Sequence, residues 1–216
     1  MLDRDFFMFK INLSAELKAN IMVGIRQLCY FAAVMLLVLL INVLTSIYKE
    51  QTFEEHGVIE NLQLSLLILS SVTFFAQAVI KREYRQLYFL LSSMSILAAI
   101  RECDMFFDTN IPVISWKFAW LFPLAAIHYA VKNFNKTKMQ IMQFIATPAF
   151  NMMVAAVIVV VPIAQCIGHR PLVVNVLGVT DVAQIKEMFE ECVETIGYFV
   201  LLMAAIETHW SLPIKK

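Results

Sequence analysis

Residues 28–48 read LCYFAAVMLLVLLINVLTSIY, and this stretch decides the fold class. None of its side chains is charged, and Asn42, Thr45 and Ser46 are its main polar interruptions. An α-helix rises about 1.5 Å per residue, so about 20 apolar residues cross the hydrocarbon core of a bilayer. The stretch therefore predicts a transmembrane helix.

The rest of the 216-residue chain repeats this pattern. The chain is 60% hydrophobic and only 16% charged, and its mean hydropathy is +0.73. The apolar runs are continuous and do not alternate with polar residues, which favours membrane helices over the strands of a membrane barrel. We predict an all-α, polytopic integral membrane protein whose six transmembrane helices form one bundle and cover residues 28–48, 56–80, 86–107, 115–131, 139–167 and 182–206.

The two ends of the chain are more polar than this membrane domain, which we place at residues 28–210. Within residues 1–27, Leu13, Leu17, Ile21 and Ile25 recur every four positions, with charged residues elsewhere on the helical wheel. This spacing predicts an amphipathic helix lying in the membrane interface. A soluble lead-in packed on the inner helix ends is the alternative. Residues 211–216 are predicted to form a short cytoplasmic tail.

The distribution of basic residues predicts the orientation. With six spans, twelve of the 17 Lys and Arg residues fall on one side of the membrane. Loops rich in Lys and Arg stay in the cytoplasm, so we expect both termini to be cytoplasmic. We expect the membrane to be a bacterial inner membrane. Most of the acidic residues fall on the opposite side, where membrane insertion alone does not require them.

Three predicted helices carry polar stripes at this acidic side. A stripe forms where side chains three, four or seven positions apart share one helical face. Glu102 lies about a quarter-turn from the stripe on the third helix. The stripes are His56, Glu60 and Gln63 on the second helix; Arg101, Asp104 and Asp108 on the third; and Glu187, Glu190 or Glu191, and Glu194 on the sixth.

Charged groups near the hydrocarbon are costly and usually face a protein interior or a cavity. We therefore predict one common functional site. Its candidate catalytic residues are Glu60, Arg101, Glu102, Asp104 and Glu194. Carboxylates and imidazole also suit a divalent metal, and the candidate ligands are His56, Glu60, Asp104, Asp108, Glu191 and Glu194.

Each group in this site has a possible chemical role. A metal could polarise a lipid ester, amide or phosphate and activate water. Arg101 could bind a phosphate or carboxylate, and crowded carboxyl groups could act as acid, base or proton relay. The structural alternative is that Arg101 forms an ion pair that only fixes helix packing, while the outermost glutamates are solvated helix-end residues.

Three functions fit this pattern. The first is a metal-dependent hydrolase or transferase that acts on a lipid or lipid-linked substrate in the bilayer. The second is a non-enzymatic subunit that binds a membrane-protein partner through its acidic face. The third is an ion- or proton-coupled carrier. We find no nucleic-acid-binding motif and expect no nucleic-acid partner.

The four cysteines lack the CxxC spacing of a metal or redox motif. Cys103, Cys166 and Cys192 are predicted to lie on the same side of the membrane. We expect three separate thiols, with a disulfide among them left open.

Overall fold

The computed structural model describes residues 15–48, 53, 57–104, 107, 116–167, 169 and 182–212. Of this part, 94% is helical and none of it is a strand, which confirms the all-α class. It forms seven helices: α1 (Ala15–Tyr48), α2 (Val58–Ile80), α3 (Arg85–Glu102), α4 (Leu121–Lys132), α5 (Phe134–Ile145), α6 (Pro148–Ile167) and α7 (Val182–Ser211). Short 3₁₀ turns, Arg82–Tyr84 and Trp116–Trp120, precede α3 and α4.

Three helices of the described chain are long and apolar enough to cross a membrane: Asn20–Tyr48, Val58–Ile80 and Pro148–Ile167. They indicate a membrane protein. Many large apolar side chains on these helices are exposed, including Leu28 and Phe31 of α1. Such a surface is expected where the surrounding solvent is lipid.

Helix α1 differs from the prediction at its start. Residues 15–27 belong to the same 34-residue helix as the first predicted span and do not form a separate interfacial helix. No proline interrupts this segment, and Gly24 is an isolated glycine with open space around it, so the helical hydrogen-bond ladder can continue. The rest of the predicted interfacial helix lies outside the described residues.

The contacts between helices define their relative directions. Helices α2 and α3 form an antiparallel hairpin, in which Ser71 and Ser92 each donate a hydrogen bond to the other's backbone carbonyl. Helix α7 runs parallel to α2, because Gln63 contacts Glu191 near one end and Gln77 contacts Ala205 near the other. The helices α1, α3 and α6 all run antiparallel to α7.

Helix α4 also packs against α3. The rings of Phe89 and Tyr129 lie 5.9 Å apart and those of Phe107 and Phe118 lie 5.2 Å apart, so α4 is antiparallel to α3. Pro123 lies in the first turn of α4, where its missing N–H breaks no helical hydrogen bond.

The long fifth helix predicted over residues 139–167 is wrong, because the chain breaks at Ala146 and Thr147 into α5 and α6. Pro148 cannot donate a helical hydrogen bond, and its ring would clash with the preceding turn of a continuous helix. Thr147 instead caps α6 by accepting a hydrogen bond from the backbone N–H of Phe150. Helix α5 is about 18 Å long, too short to cross a bilayer.

The second proline of this region has a different effect. Pro162 lies within a π-helical segment, Val159–Ile163, and α6 continues beyond it. π-Helical turns of this kind are a known way for a helix to absorb a local irregularity. At the same level α7 carries Gly197, where an added Cβ would overlap Cγ2 of Val160. The absent side chain lets α6 and α7 approach closely.

Candidate functional site

The site is built where the first turns of α2, the last turn of α3 and the first half of α7 meet. We call this the acidic end, defined by Glu60, Glu102 and Glu194. The opposite end carries Arg82, Lys132, Lys136 and Lys138, and we call it the basic end. The parallel course of α2 and α7 and the reversed course of α3 place these three glutamates at one level.

The Glu102 carboxylate is the centre of this arrangement. It accepts a 2.6 Å hydrogen bond from the hydroxyl of Tyr198, which joins the end of α3 to α7. Glu102 also lies close enough to Arg101, Asp104 and Glu60 for their charges to interact. Glu102 is half-buried, and Tyr198 is buried. A short hydrogen bond of this kind holds the carboxylate in one orientation.

Glu194 lies one helical turn before Tyr198 and is only 4% exposed. Its charge interacts with those of Glu102, Glu191, Arg101 and Glu190. The buried carboxyl of Glu194 and the half-buried carboxyl of Glu102 thus come from different helices into one cluster. Burying two like charges is costly, so such a pair needs a counter-charge or a shared proton.

Arg101 supplies a positive charge near the carboxyl groups of Glu102 and Glu194. Its guanidinium interacts electrostatically with Glu102, Glu194 and Asp104, and also with Tyr198. Arg101 as a residue is exposed. It is therefore placed to reach an anionic ligand while partly compensating the carboxylates behind it.

The remaining predicted residues occupy the edge of the cluster. Glu60 lies near Glu102 and Cys103, and Asp104 is exposed near Arg101. Glu191 accepts a 2.6 Å hydrogen bond from Nε2 of Gln63, which ties α2 to α7. Oε1 of Gln63 is buried with no hydrogen-bond partner among the described residues.

The metal prediction is not decided by this geometry. Within the described residues, no three His, Cys, Asp or Glu side chains are grouped closely enough to hold a metal ion. His56 and Asp108 lie outside that part of the chain, as does the side chain of Glu187. Metal binding by His56, Glu60, Asp104, Asp108, Glu191 and Glu194 therefore stays a prediction. The four cysteines are free thiols in this structure.

A groove leads away from the cluster between α3 and α6. Its volume is about 380 Å³, and its lining includes Arg101 and Tyr198 together with apolar side chains of α2, α3, α6 and α7. The site thus has a polar part, formed by the cluster, and an apolar part, formed by the groove.

Tyr198 is the functional candidate that the sequence did not reveal. Its place four residues after Glu194 puts both on one helical face, and this spacing was the available signal. Aromatic residues are common in membrane helices, however, so a tyrosine in such a helix does not stand out. Only the packing of α3 against α7 shows that its hydroxyl reaches Glu102.

The sequence also did not predict the polar contacts at the basic end. The Glu207 carboxylate accepts two 3.0 Å hydrogen bonds from Arg26 and one each from Tyr30 and Ser211. Burial acts to raise the pKa of Glu207, but these hydrogen bonds together outweigh it and hold the pKa below its usual range. This cluster connects the first half of α1 to the end of α7.

Lys81 is buried at the same, basic end of the molecule. It is only 3% exposed, and its ammonium donates hydrogen bonds to the carbonyls of Thr208, His209 and Leu212. Burial lowers the pKa of Lys81. A cation at these carbonyls satisfies the free acceptors of the α7 C-terminus and complements the helix dipole.

Comparison with protein-family models, with curated proteins and with solved structures finds no match to this chain in any of the three.

Proposed function

We propose that this protein is an integral membrane enzyme, a hydrolase or transferase, that acts on the polar part of a lipid or lipid-linked molecule at the acidic end. One observation carries this proposal: the carboxyl groups of Glu102 and Glu194, from two different helices, both interact electrostatically with the guanidinium of Arg101. A carboxyl pair beside a cation is suited to proton transfer at an anionic substrate.

The roles follow from burial and position. Arg101, the exposed member, binds a phosphate or carboxylate of the substrate, for which its planar fork of donors is suited. Glu102 and Glu194 act as the acid–base pair, and Tyr198 is a positioning residue that orients Glu102. Glu60 and Asp104 lie at the edge, where they could share a divalent metal with His56, Asp108 and Glu191. Such a metal would supply a Lewis acid and an activated water.

The membrane arrangement belongs to the same proposal. We infer six crossings, by α1, α2, α3, α4, α6 and α7, with both termini in the cytoplasm of a bacterial cell. The alternating helix directions support this count. Helix α3 is about 27 Å long, and α4 with its 3₁₀ turn is about 28 Å, close to the thickness of the hydrocarbon core. Helix α5 stays at the basic, cytoplasmic side.

The test uses purified protein in liposomes made from a bacterial lipid extract, with mass spectrometry of the lipids before and after incubation. Wild-type protein should deplete one lipid species and form another. Glu194→Gln and Glu102→Gln should each lower this conversion by at least about a hundredfold, which is the lower end for a general acid or base. Glu83→Gln is the matched control, since Glu83 is exposed in the turn at the opposite, basic end, and it should retain conversion. Equal turnover by all three variants would refute the acid–base roles.

The same assay tests the metal. If a divalent ion takes part, chelator should abolish conversion, and elemental analysis should find the ion bound in the wild-type protein. Full conversion in chelator by protein that contains no metal would remove the metal from the proposal and leave the carboxyl pair.

A proton- or ion-coupled carrier is the second candidate, and one observation favours it. Gln63, Ser70 and Gln77 repeat every seven residues along α2 and are all buried. Gln63 and Gln77 form hydrogen bonds with Thr195 and Thr208 of α7, respectively. A buried polar seam of this kind could pass protons between the two ends of the molecule. Ion flux into proteoliposomes that is abolished by Glu194→Gln, with no lipid conversion, would favour the carrier over the enzyme.

A further inference from the structure

We propose that the groove between α3 and α6 binds the hydrocarbon chain of a single anionic lipid that enters sideways from the bilayer, with its head group at Arg101. This inference rests on the membrane location in the proposed function and specifies the substrate class for the site.

The shape of the groove fits a chain. It follows α3 from Arg101 to Leu91, a distance of about 15 Å at 1.5 Å per residue, and so runs along the helix axes. Lipid chains in a bilayer extend in the same general direction as membrane helices. A chain can therefore move from the bilayer into the groove without turning.

The lining of the groove is almost entirely apolar. Its apolar lining comes from four helices, with Leu67 and Phe74 of α2, Leu91 of α3, Met153 of α6 and Leu201 of α7. A buried methylene group gains about 0.8 kcal/mol relative to water, but relative to lipid the gain is small. The groove therefore holds a chain by shape and needs a polar contact to select the lipid.

Arg101 provides that contact. It is the one charged residue among those that line the groove, and it lies at the end nearest the carboxyl cluster. A phosphate or carboxylate can accept two parallel hydrogen bonds from a guanidinium. A lipid whose chain fills the groove would thus have its anionic group beside Glu102 and Glu194, where the proposed chemistry occurs.

The groove opens toward the surroundings of the molecule and is not sealed inside it. Met94 of α3 and Val157 and Val161 of α6 line it and are each more than half exposed, at 51%, 52% and 57%. Exposed apolar residues on both sides of an opening are suited to contact with bilayer chains. Entry between α3 and α6 is the route that this pattern favours.

The experiment uses three lipid probes that carry a photoreactive diazirine on the chain: a phosphatidic acid, a phosphatidylcholine and a fatty acid. Each is mixed into liposomes with the full-length protein, irradiated, and mapped by peptide mass spectrometry. We expect the phosphatidic acid, the fatty acid, or both to label α3 and α6 at the groove, at least about tenfold more than phosphatidylcholine, from the strength of a charge-assisted hydrogen bond. The two anionic probes distinguish a phosphate head group from a carboxylate.

Two variants test the two parts of the site. Ala98→Phe fills the groove and should lower labelling about tenfold, whereas Val72→Phe adds the same ring to the exposed face of α2 and should not. Arg101→Gln should remove the preference for anionic probes and keep labelling by phosphatidylcholine. Since Ala98→Phe could disturb folding, Arg101→Gln gives an independent result at an exposed position.

Labelling that spreads evenly over exposed residues such as Leu28 and Phe31 of α1 would overturn the proposal. So would equal labelling by all three probes in the wild-type protein. The failure of the proposed enzyme would look different, because Glu194→Gln would then leave lipid conversion unchanged while groove labelling persisted. Labelling therefore tests the groove, and conversion tests the chemistry.

Discussion

At the scale of single residues, the sequence was most informative where charge is costly. Glu60, Arg101, Glu102, Asp104 and Glu194 stand out because charged groups are rare in apolar segments, and in the structure each of them interacts electrostatically with at least one of the others. Spacing alone could define a shared helical face, but not which face of one helix meets which face of the next. That depends on packing.

Tyr198→Phe tests the central hydrogen bond of the site. The change removes the hydroxyl that donates to Glu102 at 2.6 Å and keeps the ring. We expect a loss of about 1.5–3 kcal/mol in the free energy of unfolding, the range for hydrogen bonds to charged groups, measured by denaturant unfolding in detergent. Tyr129→Phe is the control, because the Tyr129 hydroxyl makes no hydrogen bond to any described residue. Equal losses in both variants would show that the hydrogen bond to Glu102 does not contribute to the free energy of unfolding.

Glu207 makes stability depend on pH. Its pKa is lower in the folded protein than in the unfolded chain, so its contribution is complete above the usual glutamate pKa and is lost as the pH falls through the folded pKa. Glu207→Gln should lower the free energy of unfolding by roughly 1–3 kcal/mol at neutral pH, and the difference from wild type should shrink in acid. The measurement is a series of unfolding curves across pH.

Glu190→Gln serves as the control for that series. Its partner Lys186 lies 3.6 Å away and is well exposed, so the change should cost at most about 1 kcal/mol. A wild-type advantage over Glu207→Gln that stays constant down to strongly acidic pH would contradict the assigned linkage.

At the scale of helices, hydrophobic pattern predicted which segments are helical but not all of their limits. The apolar runs predicted α2 and the starts of α3 and α7 closely. Helix α3, however, ends at Glu102 and not at residue 107, and α7 continues to Ser211 and not to residue 206. The run over 139–167 hid the break at Thr147, because apolar composition continues across Pro148 while backbone geometry does not. The sequence indicates that Pro148 interrupts the helical pattern, but we expected only a kink within one long helix. The N-cap at Thr147 was the signal for two separate helices.

Gly197 tests how tightly α6 and α7 pack. An added methyl would overlap a methyl of Val160, so Gly197→Ala should destabilise the protein by about 1–3 kcal/mol, as overpacking does. The double change Gly197→Ala with Val160→Ala should recover part of this loss. In Gly24→Ala, where nothing lies within 4 Å, stability should be unchanged or slightly higher. If both alanine variants behave alike in thermal unfolding, the close approach of the two helices is not real.

At the scale of the whole molecule, the two ends differ in chemistry as the sequence predicted. Acidic groups collect at one end, and basic groups with Lys81 and the Arg26–Glu207 pair collect at the other. Composition could predict this division because basic residues govern membrane orientation. The groove could not be predicted, because it arises from the space that α3 and α6 leave between them.

Labelling of single cysteines in intact cells tests the six crossings. In a protein whose native cysteines are replaced by serine, Lys117→Cys should react with an impermeant maleimide from outside. Asn135→Cys and Ala146→Cys, at the two ends of α5, should both react only after permeabilisation, because α5 is too short to cross. Reaction of Ala146→Cys from outside would show that α5 spans the membrane and that the inferred topology is wrong.

The most direct test of the whole account is an experimental density map of the protein crystallised from lipid. We expect a lipid chain in the groove between α3 and α6, with an anionic head group in hydrogen-bond contact with Arg101 and next to Glu102 and Glu194. An empty or closed groove, with those carboxyl groups turned away from Arg101 and from each other, would contradict it.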